Sequence, residues 1–152
     1  MKLATALSER ADLQRRLADL QNRLNNNAKV QEGEEPSEDP KALLRELDNL
    51  LDRLEWLIAR INLTNSRTVS EGATMTELLA RRDCLAKRVS AMRSFLNEAS
   101  AKVDRYSQKE IKILSTVKVS ALQKQVDAAS KDLRELDERI QGLNWTTELI
   151  EN

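Results

Sequence analysis

Paired acids on helices are the first residues to weigh, because all-helical nucleotide hydrolases use them to hold magnesium. Glu34, Glu35 and Glu38 have a Glu-Glu-x-x-Glu spacing. They stand beside Pro36, however, in a stretch that reads as a linker, and the second motif such a site needs is missing: Glu46 is followed three residues on by Asn49. Glu135 and Glu138 share a helical stretch with the apolar face of Leu133, Leu136 and Ile140, so they read as solvated helix charge. Magnesium sites also converge carboxylates on a phosphate substrate, and no phosphate-binding loop is present. The chain has no histidine. That removes Ser-His-Asp and Cys-His nucleophilic pairs, His-containing zinc sites and the Glu-x-x-His di-iron pattern. Cys84 is the one cysteine; it has no partner for a disulfide and reads as a small residue at a helix packing surface. The expectation is a protein with no catalytic residues, no metal and no cofactor, and not an enzyme.

Binding chemistry is the other option. Lys+Arg and Asp+Glu are both 25, so the net charge is zero, which disfavours a globally basic nucleic-acid binder. The charge is nonetheless uneven. Glu32 to Glu55 holds nine acids against three bases, and Arg81 to Lys118 holds ten bases against four acids. The plain reading is that these segments face each other across helices or subunits. The alternative is nucleic acid: Arg105, Tyr106, Lys109 and Lys112, with Lys118, combine one stacking ring with phosphate-binding bases. No helix pairs a basic face with bulky aromatics, as membrane-surface binding requires. No stretch approaches the roughly 18 apolar residues of a membrane span. The first residues turn polar quickly, so a signal-peptide core is absent and the cytoplasm is the expected location.

The elements that position these residues are helices. Charged residues make up 33% of the 152-residue chain and aromatics only 3%, a composition typical of long helices. Leu13, Leu17, Leu20 and Leu24 recur at steps of four and three, which predicts a helix over 3–24, interrupted on its stripe by Arg10. An acidic linker, 25–39, follows. Asp39 and Pro40 read as N-cap and first residue of a second helix over 40–63. Its Leu43, Leu47, Leu50, Leu54, Leu57 and Ile61 alternate steps of four and three, and Leu44, Leu51 and Ile58 add a third column. Three columns suit a helix touching two neighbours, so this helix is expected at the centre of the core. A polar connection over 62–73 has room for a small β-turn. Thr74 and Glu77 have capping-box spacing before a third helix, 75–106. That stripe runs from Met75 to Val103, and Arg82 takes a leucine position, where pairing with a carboxylate is the favoured reading. Ile111, Ile113, Val117 and Val119 change to a period of two, a short strand signal. A last helix, 119–143, ends in a tail apolar enough to dock.

Several stretches together resemble a known family: Asn26 to Pro36, Arg82-Asp83, Asp104-Arg105-Tyr106-Ser107, Glu110-Ile111-Lys112, Ser115-Thr116-Val117 and Leu143 to Thr147. The resemblance is to a family of bacterial helical proteins that carry the label septicolysin and include a corynebacterial representative. It covers essentially the whole chain; Lys118 stands where the family pattern has an acid. It implies coiled-coil-like helical subunits in a homo-oligomer and no established substrate. The label itself implies an oxygen-labile cytolysin. Such toxins use a Trp-rich membrane loop near a cysteine, and Cys84 has no tryptophan near it in sequence.

The expected fold is therefore all-α: one helical domain over 1–152, made of long antiparallel coiled-coil-like helices in a bundle, with at most short β segments near 66–75 and 108–119. The expected function is a structural or interaction protein that binds itself. Nucleic-acid association and a cytolysin-like activity are the alternatives. The residues expected at partner contacts are Asn27, Lys29, Arg82, Asp83, Arg105, Tyr106, Lys109, Lys112 and Trp145.

Overall fold

Leucines at alternating steps of three and four favour helix, because only a 3.6-residue period gathers them on one face. The computed structural model describes residues 1–101 and 111–152, and the molecule is mostly helical: α1 (Leu3–Asn26), α2 (Pro40–Arg67), α3 (Met75–Ser100) and α4 (Val119–Thr146), with a tiny two-stranded sheet between α2 and α3. These elements fall into two units. The first is Met1–Met75 with Gln141–Asn152, and the second is Thr76–Ile140.

In the first unit α1 buries Leu3, Ala6, Leu13 and Leu20 against α2, which buries Leu43, Leu50, Leu54, Leu57, Ile61 and Thr64. Asp39 caps α2 as its position predicts: its Oδ1 accepts from the Lys41 backbone N–H at 3.1 Å, and Pro40 follows where its missing N–H does no harm. The third leucine column is a correction. Leu44, Leu51 and Ile58 are 50%, 40% and 38% exposed, so α2 buries two columns and leaves the third open.

The end of α2 also differs from expectation. The Asn62–Arg67 stretch, polar and rich in cap-forming residues, continues the helix. Thr64 is fully buried there. Its hydroxyl donates to the Arg60 carbonyl at 2.8 Å and accepts from the Ile150 N–H at 2.9 Å. A tertiary bond to the far end of the chain thus overrides a local preference for turn. The strands β1 (Val69–Ser70) and β2 (Ala73–Thr74) then pair antiparallel, Val69 opposite Thr74. Glu71 and Gly72 between them have φ of 49° and 82°, the two left-handed residues of a tight two-residue hairpin turn. The C-terminal tail docks as expected. Leu3 N–H donates to the Thr147 carbonyl at 2.9 Å, Leu149 N–H donates to the Met1 carbonyl at 2.8 Å, and the Leu149 side chain is buried.

In the second unit the stripe of α3 buries Leu78, Val89 and Leu96, and α4 buries Leu122, Val126, Leu136 and Ile140. Leu96, Leu122 and Val126 form one cluster, with Met92, Val117 and Val119 packed on it. The expected strand near 108–119 is corrected over its described part. Residues 111–118 form no strand, and Val119 opens α4, with the Lys118 carbonyl accepting from the Ala121 and Leu122 N–H groups at 3.1 and 3.0 Å. Ile111 and Ile113 are exposed, while Val117 and Val119 join the helical cluster. A short period-two run needs a partner strand, and packing on helices claims its last two valines. The expected end of the third helix, with Val103, and the start of the strand segment fall within 102–110, outside the described residues.

Candidate interaction surface

The α1–α2 pair has two unlike flanks. One flank is closed by charge. The Arg53 guanidinium grips Glu9 with both ends, Nε to Oε1 at 2.6 Å and Nη2 to Oε2 at 2.9 Å, and its carbon lies 4.6 Å from the centre of the Trp56 ring. Arg23 donates through Nε and Nη2 to Glu38 at 3.1 and 2.6 Å, and through Nη1 to Glu46 at 3.5 Å. The guanidinium of Arg53 hydrogen-bonds Glu9 and holds its carboxyl below the ordinary range, and Arg23 does the same to Glu38. Both arginines are held more firmly protonated in return. These pairs remain partly open to water, so each adds little to stability. What they supply is register, bracketed within one heptad: Glu9 is held near Arg53, and Arg23 reaches along the axis to Glu46.

The other flank is apolar and open. Leu44, Leu51 and Ile58 sit there at steps of seven on α2, beside half-buried Leu47. On α1 Leu17 and Leu24 are also only half-buried, and Ala11 and Ala18 are exposed. The sequence carried this signal as a third apolar column, and periodicity alone read it as burial.

Of the residues expected at partner contacts, the described ones are scattered. Asn27 is buried and committed within the chain: its Nδ2 donates to the Arg23 carbonyl at 2.8 Å, and its Oδ1 accepts from the Glu38 N–H at 3.0 Å. It closes the C-terminal end of α1 and ties down the linker. Lys29 is exposed in that linker. Trp145 lies near the end of α4 and is 67% exposed, although the tail beyond it docks. In the second unit Arg82 pairs with a carboxylate, Nη1 to Asp137 Oδ1 at 3.0 Å, and Asp83 is exposed. Arg93 donates to Ser130 Oγ at 3.0 Å. Lys112 is exposed, while Arg105, Tyr106 and Lys109 lie outside the described residues. Among the described residues the structure gathers no single site from this set. The pairs of the acidic segment, Glu38 and Glu46 with Arg23, are made inside the first unit, and Arg82–Asp137 inside the second.

Cys84 is exposed rather than packed, a correction to its expected place. It lines an open groove of the second unit with Arg81 and Arg88 on α3 and Asp132, Glu135 and Arg139 on α4. Leu85 and Leu136 complete its lining, and the α3 side is basic while the α4 side carries both acids and Arg139. Among the described residues no three of Cys, Asp and Glu cluster closely enough to hold a metal ion. Among them, too, no helix is long and apolar enough to cross a membrane.

Fold and surface together define a helical protein whose most distinctive surface is an uncovered leucine flank. The chain belongs to DUF6847, a family of unknown function, whose model matches residues 10–149. It is similar to a functionally unknown conserved protein from Corynebacterium diphtheriae: the crystal structure of that protein superimposes with a TM-score of 0.92, at 43% identity over 99% of each chain. No curated protein matches the sequence. These findings overturn the septicolysin resemblance. Neither the family nor the corynebacterial structure is described as a cytolysin, and the motifs that suggested one belong to a family of unknown function.

Proposed function

We propose that this protein is a non-catalytic interaction protein that associates with itself through coiled-coil-like helices. In this reading α1 and α2 form an antiparallel coiled-coil hairpin. The cross-pairs support it: Glu9 in the first half of α1 meets Arg53 at the middle of α2, and Arg23 late in α1 meets Glu46 early in α2. Charged residues flanking an apolar seam commonly set orientation and partner in this way. In the second unit, Arg82–Asp137 and Arg93–Ser130 give α3 and α4 the same opposed sense.

One observation carries the functional reading: the α2 stripe of Leu44, Leu51 and Ile58 stays exposed when the chain is folded. Contiguous apolar surface of this kind commonly marks an association site. Multi-angle light scattering of the full chain at micromolar concentration tests it. A mass above that of one 17.3 kDa subunit is expected, and a single-subunit mass across the range overturns the reading.

A further inference from the structure

The helix pair of the first unit presents two surfaces that fit one another. On α2, Leu44, Leu51 and Ile58 project as a bulky ridge at steps of seven. On α1, Ala4, Ala11 and Ala18 repeat at the same step, and Ala11 and Ala18 are exposed. A row of small residues is what a leucine ridge on another helix can settle between. By helical spacing the column of α1 beside the half-buried Leu17 and Leu24 on this flank is Leu7, Gln14 and Gln21, and the alanine row lies one column further round, at the outer edge of the face whose other half is the α2 ridge.

We propose that this face is the seam on which a second copy of the chain docks, about a two-fold axis parallel to α1 and α2, so that α2 of each copy lies on α1 of the other. The proposal rests on the self-association reading above and names its surface and geometry. A two-fold parallel to the helices keeps every residue at its own height along the axis. The pairs Glu9–Arg53 and Arg23–Glu46 therefore set the register between copies as well as within one. The two pairs imply registers one heptad apart; their mean puts Leu51 at a height midway between Ala11 and Ala18, and Ile58 midway between Ala4 and Ala11. Each ridge residue then meets a gap between small residues. Gln14 and Gln21, next to the alanines, are long enough to turn their amides to solvent.

Charge agrees with the same register. The outer edge of the α2 ridge carries Asp48, Asp52 and Glu55, all exposed. Pairing α2 with its own copy about Leu51 would set these acids against one another, which is unfavourable. Pairing α2 with α1 brings Arg15 of the other copy to the height between Asp48 and Asp52. Within its own chain Arg15 reaches Asp12 at 3.3 Å across a largely exposed gap, a contact of little worth that leaves it available. Size is also sufficient. A face two helices wide and about 30 Å long offers about 600 Å² per copy, so the pair buries about 1,200 Å², above the roughly 1,000 Å² expected of a specific interface. The product is a four-helix bundle in which every neighbouring helix pair is antiparallel, closed by an isologous contact.

The experiment measures the mass and dissociation constant of the full chain and of three variants, with helicity by circular dichroism as the folding control. The expected wild-type state is a dimer. Leu51→Glu is expected to give monomers with helicity kept. Arg15→Glu, a surface change that threatens no core contact, is expected to raise the dissociation constant about tenfold or more, since two like-charge contacts arise per dimer. Adding Asp48→Lys and Asp52→Lys to Arg15→Glu should restore dimerisation. A wild-type monomer overturns both this proposal and the self-association reading. An oligomeric wild type whose mass survives both Leu51→Glu and Arg15→Glu overturns the proposed seam alone. Loss of the dimer in Arg15→Glu without rescue by the double reversal overturns the register.

Discussion

Thr64 illustrates how much one buried hydroxyl can organise. It donates within α2 and accepts from the backbone of Ile150, and through that bond the C-terminal tail lies against the end of the helix. Thr64→Val keeps the shape but takes the acceptor from the partly buried Ile150 N–H. The expected loss is about 1–3 kcal/mol. Thermal denaturation should show the melting midpoint falling by about 2–4 °C for each kcal/mol, while Thr64→Ser, which keeps the acceptor, should hold close to the wild type. Asn27 acts in the same spirit at the other end of the hairpin. Its side chain fills the cap of α1 and fastens the linker at Glu38, so a residue whose type suggests partner binding is occupied inside the chain. At this scale sequence could name candidates and could not tell which were already engaged, because engagement depends on residues far away in the chain.

Elements in this protein are set by periodicity, and local chemistry marks their starts more surely than their ends. The starts of α2 and α4, at Pro40 and Val119, lie where Asp39-Pro40 and the resumption of the three-four pattern put them. The turn between β1 and β2 depends on Gly72 at φ 82°, and a Cβ there would meet nothing within 4 Å. Gly72→Ala therefore suffers only the backbone penalty of a left-handed residue, about 1–2 kcal/mol. Gly142 has equally open surroundings but lies within helix α4. Gly142→Ala should stabilise by about 0.5–1 kcal/mol, because alanine surrenders less chain entropy on entering a helix. Urea denaturation of the two variants is expected to move the midpoint in opposite directions. Equal shifts of one sign would mean that the environments of the two glycines differ from those described here.

For the molecule as a whole the acid limit is the informative one. Arg53 lowers the carboxyl of Glu9, Arg23 that of Glu38 and Lys2 that of Glu148, and all three acids belong to the first unit. A carboxyl whose value is lower in the folded chain binds protons more readily when unfolded. Its stabilising contribution is complete above roughly pH 4.3, the ordinary glutamate value, and fades as pH falls through the lowered folded value. Melting temperature followed from neutral pH downward should thus hold steady and then drop below about pH 4. Glu9→Gln should flatten part of that drop. An unchanged acid profile in this variant would remove the Glu9–Arg53 pair from the account.

The sequence by itself determined that the chain is helical, that Asp39 and Pro40 open α2 and that histidine-based chemistry is absent, since these follow from spacing and residue type within a few turns of chain. The leucine period marked three apolar columns on α2 and could not say how many would be covered. Coverage is a property of neighbours, and neighbours come from contacts between distant segments. Only the tertiary structure decided that α1 closes two columns, that its arginine and glutamate pairs seal one flank, and that Leu44, Leu51 and Ile58 on the other remain open to water. It likewise sent Val117 and Val119 to a helical cluster instead of a strand, because a strand without a partner gains nothing that packing on Leu96, Leu122 and Val126 does not supply.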